Sequence, residues 1–349
     1  MGLVKHYPAL SRPTNPICSI CVANYNGMAL LKDCLDSVLN QQGELNIEII
    51  LHDDGSTDDS VAWLRDCYPQ VEVLASTDNV GFCISNNRMV AHARGEYILL
   101  LNNDAALYLD ALSTLLDIAK KQTPSGILTL PQYDWNTSEL VDRGCLLDPF
   151  YNPVPNLDPN RQDVAMVIGA CLLMRRSLWN ELGGFPEWFE SIGEDLYICC
   201  IARLIGSTVQ VTRQSGYRHR QGASFGGNRV ASDGLNTTFR RRRLSERNKT
   251  SVMVIATPSI LMWPLLTLHV VILLLEGTVI TVAHRNPRVW NDIYRPTLKS
   301  TFVGFESLLK RRLSAQANRK ISLGGYLSCF VRLPQKLRLL LKHGVPKIH

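Results

Sequence analysis

Three short apolar runs in the first third of the chain each end on amides or carboxylates. CSICVAN stops at Asn24, with Tyr25 and Asn26 following; IEIILHDD stops at Asp53 and Asp54; YILLLNND stops at Asn102, Asn103 and Asp104. Such runs of Val, Ile and Leu, with little polar alternation, are the pattern of strands buried on both faces. Between them, MALLKDCLDSVLNQ and VAWLRDCY place apolar residues three and four apart, the period of a helix that hides one side. Strand alternating with helix at this size predicts parallel strands with helices on both faces of the sheet. In such sheets ligands lie beyond the carboxyl ends of the strands, so the three polar tips are expected on one rim. Asn and Asp are also ordinary turn and helix-cap residues, and any one cluster alone needs no ligand.

A chain of 349 residues, 46% of them hydrophobic, suits one large α/β domain with an appendage. Its ten cysteines do not suggest a disulfide framework at this length. The pair Cys18 and Cys21 lies in an apolar run with no second pair to complete a zinc site, so reduced, mostly buried thiols in a cytosolic compartment are expected. Residues 1–16 lack the long apolar stretch of a signal peptide and read as an extension. Residues 125–165 are rich in Pro, Asp and Asn, suiting a substrate-binding loop or hairpin. Beyond them, GEDLYICCIARLIG opens an apolar helix on Glu194 and Asp195, where the helix dipole already favours negative charge. A polar loop, SGYRHRQGASFGGNR, then presents His219.

Taken in order, VANYNG, DDGSTDDS, DNVGFCISNN, GEYILLLNND, GACLLMRRSLWNELGGF, GEDLYICCIARLIG and HRQGASFG resemble the family 2 glycosyltransferases, and within them the bacterial rhamnosyltransferase-like group. The resemblance covers roughly residues 17–228. It implies the GT-A fold: an α/β, Rossmann-like nucleotide-diphospho-sugar transferase with a mixed sheet flanked by helices. Asp53 then matches the carboxylate that pairs with the donor nucleobase, with Asp54 beside it and Asn24 and Tyr25 shaping the base and ribose pocket. Asp104 matches the last acid of an Asp-x-Asp motif that holds Mn²⁺ or Mg²⁺ against the diphosphate, and His219 a late histidine that completes that site. Here the motif reads Asn102-Asn103-Asp104, so an amide at Asn102 stands where the first acid is expected. Asp195 matches the general base and Glu194 its companion. Tyr197 and Ile201 replace an acid and an arginine often found after that pair. The Gln-x-x-Arg-Trp signature of processive synthases is missing, since Gln214 follows Arg213; one sugar per encounter is expected.

Charge divides the chain. Residues 240–349 hold 20 Lys and Arg against 4 Asp and Glu, while residues 1–239 hold 17 against 27. Between Val252 and Leu275 no charged side chain occurs, a length able to cross a bilayer. Pro258 and Pro264 would break or kink such a helix. Both flanks are basic, which disfavours a single crossing. C-terminal amphipathic helices lying on an anionic membrane surface fit better. The division expected is therefore an N-terminal extension (1–16), a catalytic domain (17–239) and a basic, apolar membrane-associating region (240–349). Nucleic acid is disfavoured as a partner, because the apolar stretch lacks basic grooves with stacking aromatics.

The function expected is an inverting, metal-dependent glycosyltransferase at the cytoplasmic face of the cell membrane. It moves a sugar, with rhamnose suggested by the resemblance, from a nucleotide-diphosphate donor to a lipid-linked or surface-polysaccharide acceptor. A sugar nucleotidyltransferase and a non-catalytic sugar-nucleotide-binding membrane protein are the alternatives. Oligomeric state is left open, so an oligomer remains compatible.

Overall fold

The computed structural model describes residues 3–222, 227–231, 234–344 and 347–348. The last four residues of HRQGASFG, 223–226, and the first two of the N-terminal extension lie outside the described residues.

The chain runs through β1 (Val4–Tyr7), β2 (Cys18–Asn24), α1 (Met28–Leu39), β3 (Ile47–Asp53), α2 (Ser60–Cys67), β4 (Val71–Ser76), α3 (Phe82–His92), β5 (Tyr97–Asn102), β6 (Ala105–Leu107) and α4 (Ala111–Lys121). The stretch expected to be a loop or hairpin is threaded by short strands: β7 (Ile127–Thr129), β8 (Gln132–Asp134), β9 (Leu140–Asp142), β10 (Cys145–Leu147) and β11 (Pro153–Pro155). Then come β12 (Cys171–Arg175), α5 (Arg176–Leu182), α6 (Glu194–Leu204), β13 (Val209–Val211) and β14 (Tyr217–His219). A small sheet of β15 (Gly227–Ala231), β16 (Gly234–Thr237) and β17 (Lys347–Ile348) stands apart. The C-terminal part is helical: α7 (Phe239–Ala256), α8 (Met262–His284), α9 (Pro287–Val289), α10 (Arg295–Val303), α11 (Phe305–Ala317), α12 (Leu323–Leu327) and α13 (Gln335–His343).

The main sheet has eight strands in the order β1-β4-β3-β2-β5-β12-β7-β13. The alternating first part gives the expected parallel run, β4, β3, β2 and β5. The sheet is nevertheless mixed: β12 lies antiparallel to β5 and to β7, and β1 antiparallel to β4. The chain enters β12 from short hairpin strands rather than from a crossover helix, so nothing forces it to run parallel. Residues 4–7 of the expected extension are thus an edge strand of the sheet.

Successive residues of a strand face opposite sides, and the two sides are two cores. Tyr97, Leu99 and Leu101 pack with α1 and α4 through Leu31, Leu35, Leu112 and Leu116. Ile98 and Leu100 pack on the other side with α3, α5 and α6 through Met89, Trp179 and Leu196. All ten cysteines are free thiols and nine are buried, as expected.

The boundary expected between residues 239 and 240 falls in the first turn of α7, which is built into the second of these cores. Val252–Ala256, part of the charge-free stretch, are fully buried there, joined by Met262 and Leu266 of α8, Leu308 of α11 and Tyr326 of α12. The apolar stretch therefore divides between the end of a core helix and a second, longer helix. The division is made at Pro258, which precedes the turn Ser259–Leu261. Pro264 causes no break, because it sits in the first turn of α8, where a backbone N–H has no intrahelical partner to lose. Residues Ser259–His284 are long and apolar enough to cross a membrane, with mean hydropathy 2.2.

At the N-terminal ends of the parallel strands, buried Glu72 of β4 is shared by Arg12, His6 and His92. Arg12 Nε donates to one carboxylate oxygen at 3.0 Å, and His6 Nε2 lies 2.6 Å from the other. Burial alone would raise Glu72, yet the bonds from Arg12 and the two histidines hold it down at about 2. A carboxylate depressed in the folded state adds stability above its ordinary value near 4.5, and that stability is lost as pH falls toward 2. Glu72→Gln is expected to be less stable than wild type at pH 7. In urea titrations the gap between the two proteins should close as pH falls from 4.5 to 2.

Candidate active site at the strand tips

The three polar clusters meet, as the alternating pattern requires. In the parallel register Asn24 stands beside Asp53, and Ala23 beside Asn102. Asn24 Nδ2 donates to Asp53 Oδ2 at 2.9 Å, and Asn103 Nδ2 donates to Asn24 Oδ1 at 2.8 Å, so one amide joins the tips of β3, β2 and β5. Asp53 also accepts from the Ser56 backbone N–H at 3.0 Å and from its hydroxyl at 2.6 Å. All four bonds lie in or at the edge of the protein interior, where a lost partner costs more than it would in water. Tyr25 follows at the rim, half exposed.

Asp54 faces another way. Its two oxygens accept the backbone N–H groups of Val80 at 2.7 Å and Gly81 at 2.9 Å, the approach to α3. Burial raises its carboxyl and these N–H bonds pull it back. Both oxygens are committed to shaping that loop.

Asp104 lies in the tight turn between β5 and β6. Antiparallel pairing of β14 with β6 sets His219 opposite Ala105, which brings His219 Nε2 to 3.0 Å from Asp104 Oδ1. On its far side His219 Nδ1 meets Gln132 Oε1 at 3.3 Å, and that oxygen also accepts from the Tyr217 hydroxyl at 2.6 Å. If the Nδ1–H faces Gln132, then Nε2 turns a lone pair toward a carboxylate oxygen. Two acceptors face to face are relieved by a proton or a cation between them. A buried carboxylate and imidazole, with the ring oriented by a second partner, fit a divalent metal. Asn102 stands on the same tip; its backbone N–H donates to Ala170 O at 3.0 Å.

That last bond leads to the acidic pair. Gly169, next to Ala170, donates its N–H to Asp195 Oδ2 at 3.1 Å, while Asp195 Oδ1 accepts from Leu196 N–H at 2.7 Å. Glu194 is buried, and its Oε2 has no hydrogen-bond partner among the described residues. Burial, then the charge of Asp195, pushes Glu194 well above the usual carboxylate range. Burial also raises Asp195, opposed by its two N–H partners and by Arg241 of α7. Glu194 thus holds a proton more readily and Asp195 holds the charge, the division of roles found where two carboxyls sit together.

Gln132, Ser56 and the Gly169 backbone carry no role in the sequence reading, and Asn103 enters it only as a member of a polar tip, since nothing in spacing separates an amide that braces a neighbour from one that caps a turn. Gln132 belongs to an irregular stretch with no pattern to read. Gly27 is a further case: a Cβ there would lie 2.3 Å from Asn103 Nδ2 and 2.5 Å from Asn24 Oδ1.

Other candidate places lie elsewhere. A cavity of about 270 Å³ lined by Arg12, Glu48, Glu72 and Arg94 sits at the opposite, N-terminal ends of the strands. His6, Glu72 and His92 converge there as a metal-binding group would, but Arg12 already supplies the cation on Glu72.

Residues 19–183 match the sequence profile described as Glycosyl transferase family 2. The chain is 30% identical over 188 residues to a chondroitin synthase of Escherichia coli, covering 52% of this chain and 26% of that one. It is 27% identical over 183 residues to an N-acetylglucosaminyl-diphospho-decaprenol L-rhamnosyltransferase of Mycobacterium tuberculosis, covering 44% of this chain and 60% of that one. The chain therefore spans less than two thirds of either relative. A mannosyltransferase from Pyrobaculum calidifontis, solved with GDP-Man and Mn²⁺, superposes with a TM-score of 0.51 at 15% identity, covering 89% of this chain and 90% of that one. At that identity the likeness establishes the shared fold.

Gly27→Ala is expected to break the Asn24–Asn103 bond and destabilise the protein by about 1–3 kcal/mol. Denaturant titration reads the loss, and Asn103→Ala in the same background should add little further.

Proposed function

The chain belongs to the family 2 glycosyltransferases with the GT-A fold, and we propose that it transfers a single sugar from a nucleotide-diphosphate donor to a lipid-linked or cell-surface glycan acceptor. The observation that carries this reading is the continuous chain of contacts from Asp53 through Asn24, Asn103 and Asn102 to Gly169 and Asp195, with the Asp104–His219 pair on the same tip.

In this reading Asp53, Asn24 and Tyr25 receive the base and ribose, and Asp54 shapes the neighbouring loop. Asp104 and His219, with Asn102 beside them, would hold Mn²⁺ or Mg²⁺. Bound there, such an ion supplies positive charge to the departing diphosphate. Asp195 takes the proton from the acceptor hydroxyl as its oxygen forms a bond to the anomeric carbon and the bond to the nucleoside diphosphate breaks. A single displacement of this kind inverts the anomeric centre. Glu194, kept protonated, leaves Asp195 as the charged member. The rhamnosyltransferase relative, named for a lipid-diphosphate acceptor, favours an acceptor of that class and rhamnose as the sugar.

The C-terminal region supports a place on the membrane surface at the cytoplasmic face. One side of α8 is buried through Met262, Leu266, His269, Leu273, Gly277 and Ile280. The other side exposes Trp263, Leu268, Val271, Leu275, Val279 and Val282. Along its length α8 is tied to polar and charged side chains: Thr250 bonds His269 at 2.8 Å, and Glu276 pairs with Arg242 of α7 and with Lys336 of α13 at 2.7 Å. Crossing a bilayer would draw these charges into hydrocarbon, so a helix half sunk in the interface is favoured. From Arg285 onward the chain carries 14 Lys and Arg against 2 Asp and Glu, suited to an anionic leaflet.

Asp195→Asn is expected to lower transfer by about a hundredfold or more while nucleotide binding holds. Asp104→Ala is expected to abolish the Mn²⁺ dependence of nucleotide binding. Calorimetry with UDP, dTDP and GDP, with and without MnCl₂, separates the two, and Mn²⁺ dependence that survives in Asp104→Ala refutes the metal assignment. Trp263→Glu with Leu275→Glu, both on exposed positions, should release the protein from anionic vesicles in a flotation assay without unfolding it.

A further inference from the structure

The segment leading into Glu194 and Asp195 has an expensive backbone. Glu190, Ile192 and Gly193 have φ of 65°, 67° and 89°. For a β-branched residue such as Ile192 this left-handed region is sterically poor, and such residues persist only where their surroundings hold them.

The holding comes from α7. Asn248 is fully buried, and its Nδ2 lies 3.0 Å from Phe189 O, 3.0 Å from Ser191 O and 2.7 Å from Ile192 O. Its two N–H groups therefore face three of the carbonyls of this segment. The neighbouring Arg247 decides which way the amide points: Arg247 Nε donates to Asn248 Oδ1 at 2.9 Å, leaving the NH₂ toward the loop. Arg247 also binds Trp188 O at 3.1 Å, Phe189 O at 3.0 Å and Glu190 Oε1 at 3.1 Å. The same segment touches the donor side. Glu190 O accepts the Cys83 N–H at 3.2 Å, at the start of α3, two residues beyond the Gly81 N–H that Asp54 holds. One stretch of six residues thus abuts the Asp54 loop and delivers Asp195.

We propose that Asn248, oriented by Arg247, is a positioning residue for transfer: by tying the carbonyls of Phe189, Ser191 and Ile192 it fixes where Asp195 stands relative to the donor pocket. The proposal rests on the reading of Asp195 as the base. It differs from a folding role in what it changes. A residue needed only for folding lowers the amount of active protein, whereas a positioning residue lowers kcat per correctly folded molecule and leaves donor binding alone. Misplacement of a reacting group by about 1 Å costs on the order of a hundredfold.

The test uses the full chain with a panel of UDP-, dTDP- and GDP-sugars and a bacterial lipid extract as acceptor, following nucleoside diphosphate release. Active protein is counted by calorimetric stoichiometry with the free nucleoside diphosphate. Asn248→Ser keeps one donor and is expected to lose about tenfold in kcat; Asn248→Asp has no donor and should lose about a hundredfold, both with donor KM within about twofold of wild type. If either variant binds nucleotide at full stoichiometry and turns over within about twofold of wild type, the proposal fails. Should both fail to fold, Arg247→Lys, at a half-buried position, removes the bond that orients the amide. A kcat reduced about fivefold at unchanged donor KM supports the proposal, and an unchanged kcat overturns it. A wild type that neither binds nucleotide nor consumes any donor removes the glycosyl-transfer reading itself. An active wild type, silenced by Asp195→Asn but indifferent to the Asn248 and Arg247 changes, removes only the positioning role.

Discussion

Asn24 does the joining on which the rim depends. Its amide donates to Asp53 and accepts from Asn103, so the ends of three neighbouring parallel strands are held by one buried side chain. Each strand arrives with its last residue in register only because both faces of the sheet are packed, and a one-residue slip would exchange the two cores. The polar lattice and the apolar sheet therefore fix each other. The strands bring the amides within reach, and the amides give Asp53 and Asn24 their buried partners. Gly27 shows how tight the junction is, since the chain passes there at a distance that admits no side chain.

The catalytic half of the architecture was largely legible in the sequence because its signals are local. Continuous Val, Ile and Leu runs fix buried strands, helical spacing fixes the crossovers, and parallel strands carry their tips to one edge; Asp53, Asp104 and Asn24 follow from that alone. His219 is harder, because its partner is set by antiparallel pairing of β14 with β6 across more than a hundred residues. Asp54 illustrates the limit: adjacent to Asp53 in sequence, it points to the other side and binds the loop at Val80 and Gly81. A strand's alternation predicts that divergence, but the identity of what it meets depends on tertiary packing.

At the border of the C-terminal region, too, local signals and tertiary packing diverge. A change in composition at residue 240 marks where charge changes, not where packing changes. The four arginines at the start of α7 look like the opening of a separate basic tail, yet three turns later the same helix ends as fully buried Val252–Ala256. Buried Glu246 and Lys249 and the half-buried Arg242, Glu276 and Lys336 then form an ion network joining α7, α8 and α13, so the charges of the tail partly serve to lock its own helices together. Taking such charges partly out of water offsets much of their mutual attraction, so the network adds little net stability for the number of pairs it contains.

The thiols offer an internal record of how the molecule opens. Cys18, Cys34 and Cys171 lie in one core, while Cys21, Cys83, Cys145, Cys199, Cys200 and Cys329 lie in the other. Cys67, at the end of α2, is the one exposed thiol. A thiol sealed in a core reacts with an alkylating reagent only when its surroundings open, at a rate set by that opening. The natural chain therefore carries two sets of reporters, one for each side of the sheet, and a single outward handle for calibration. Timed labelling would resolve which layer separates first.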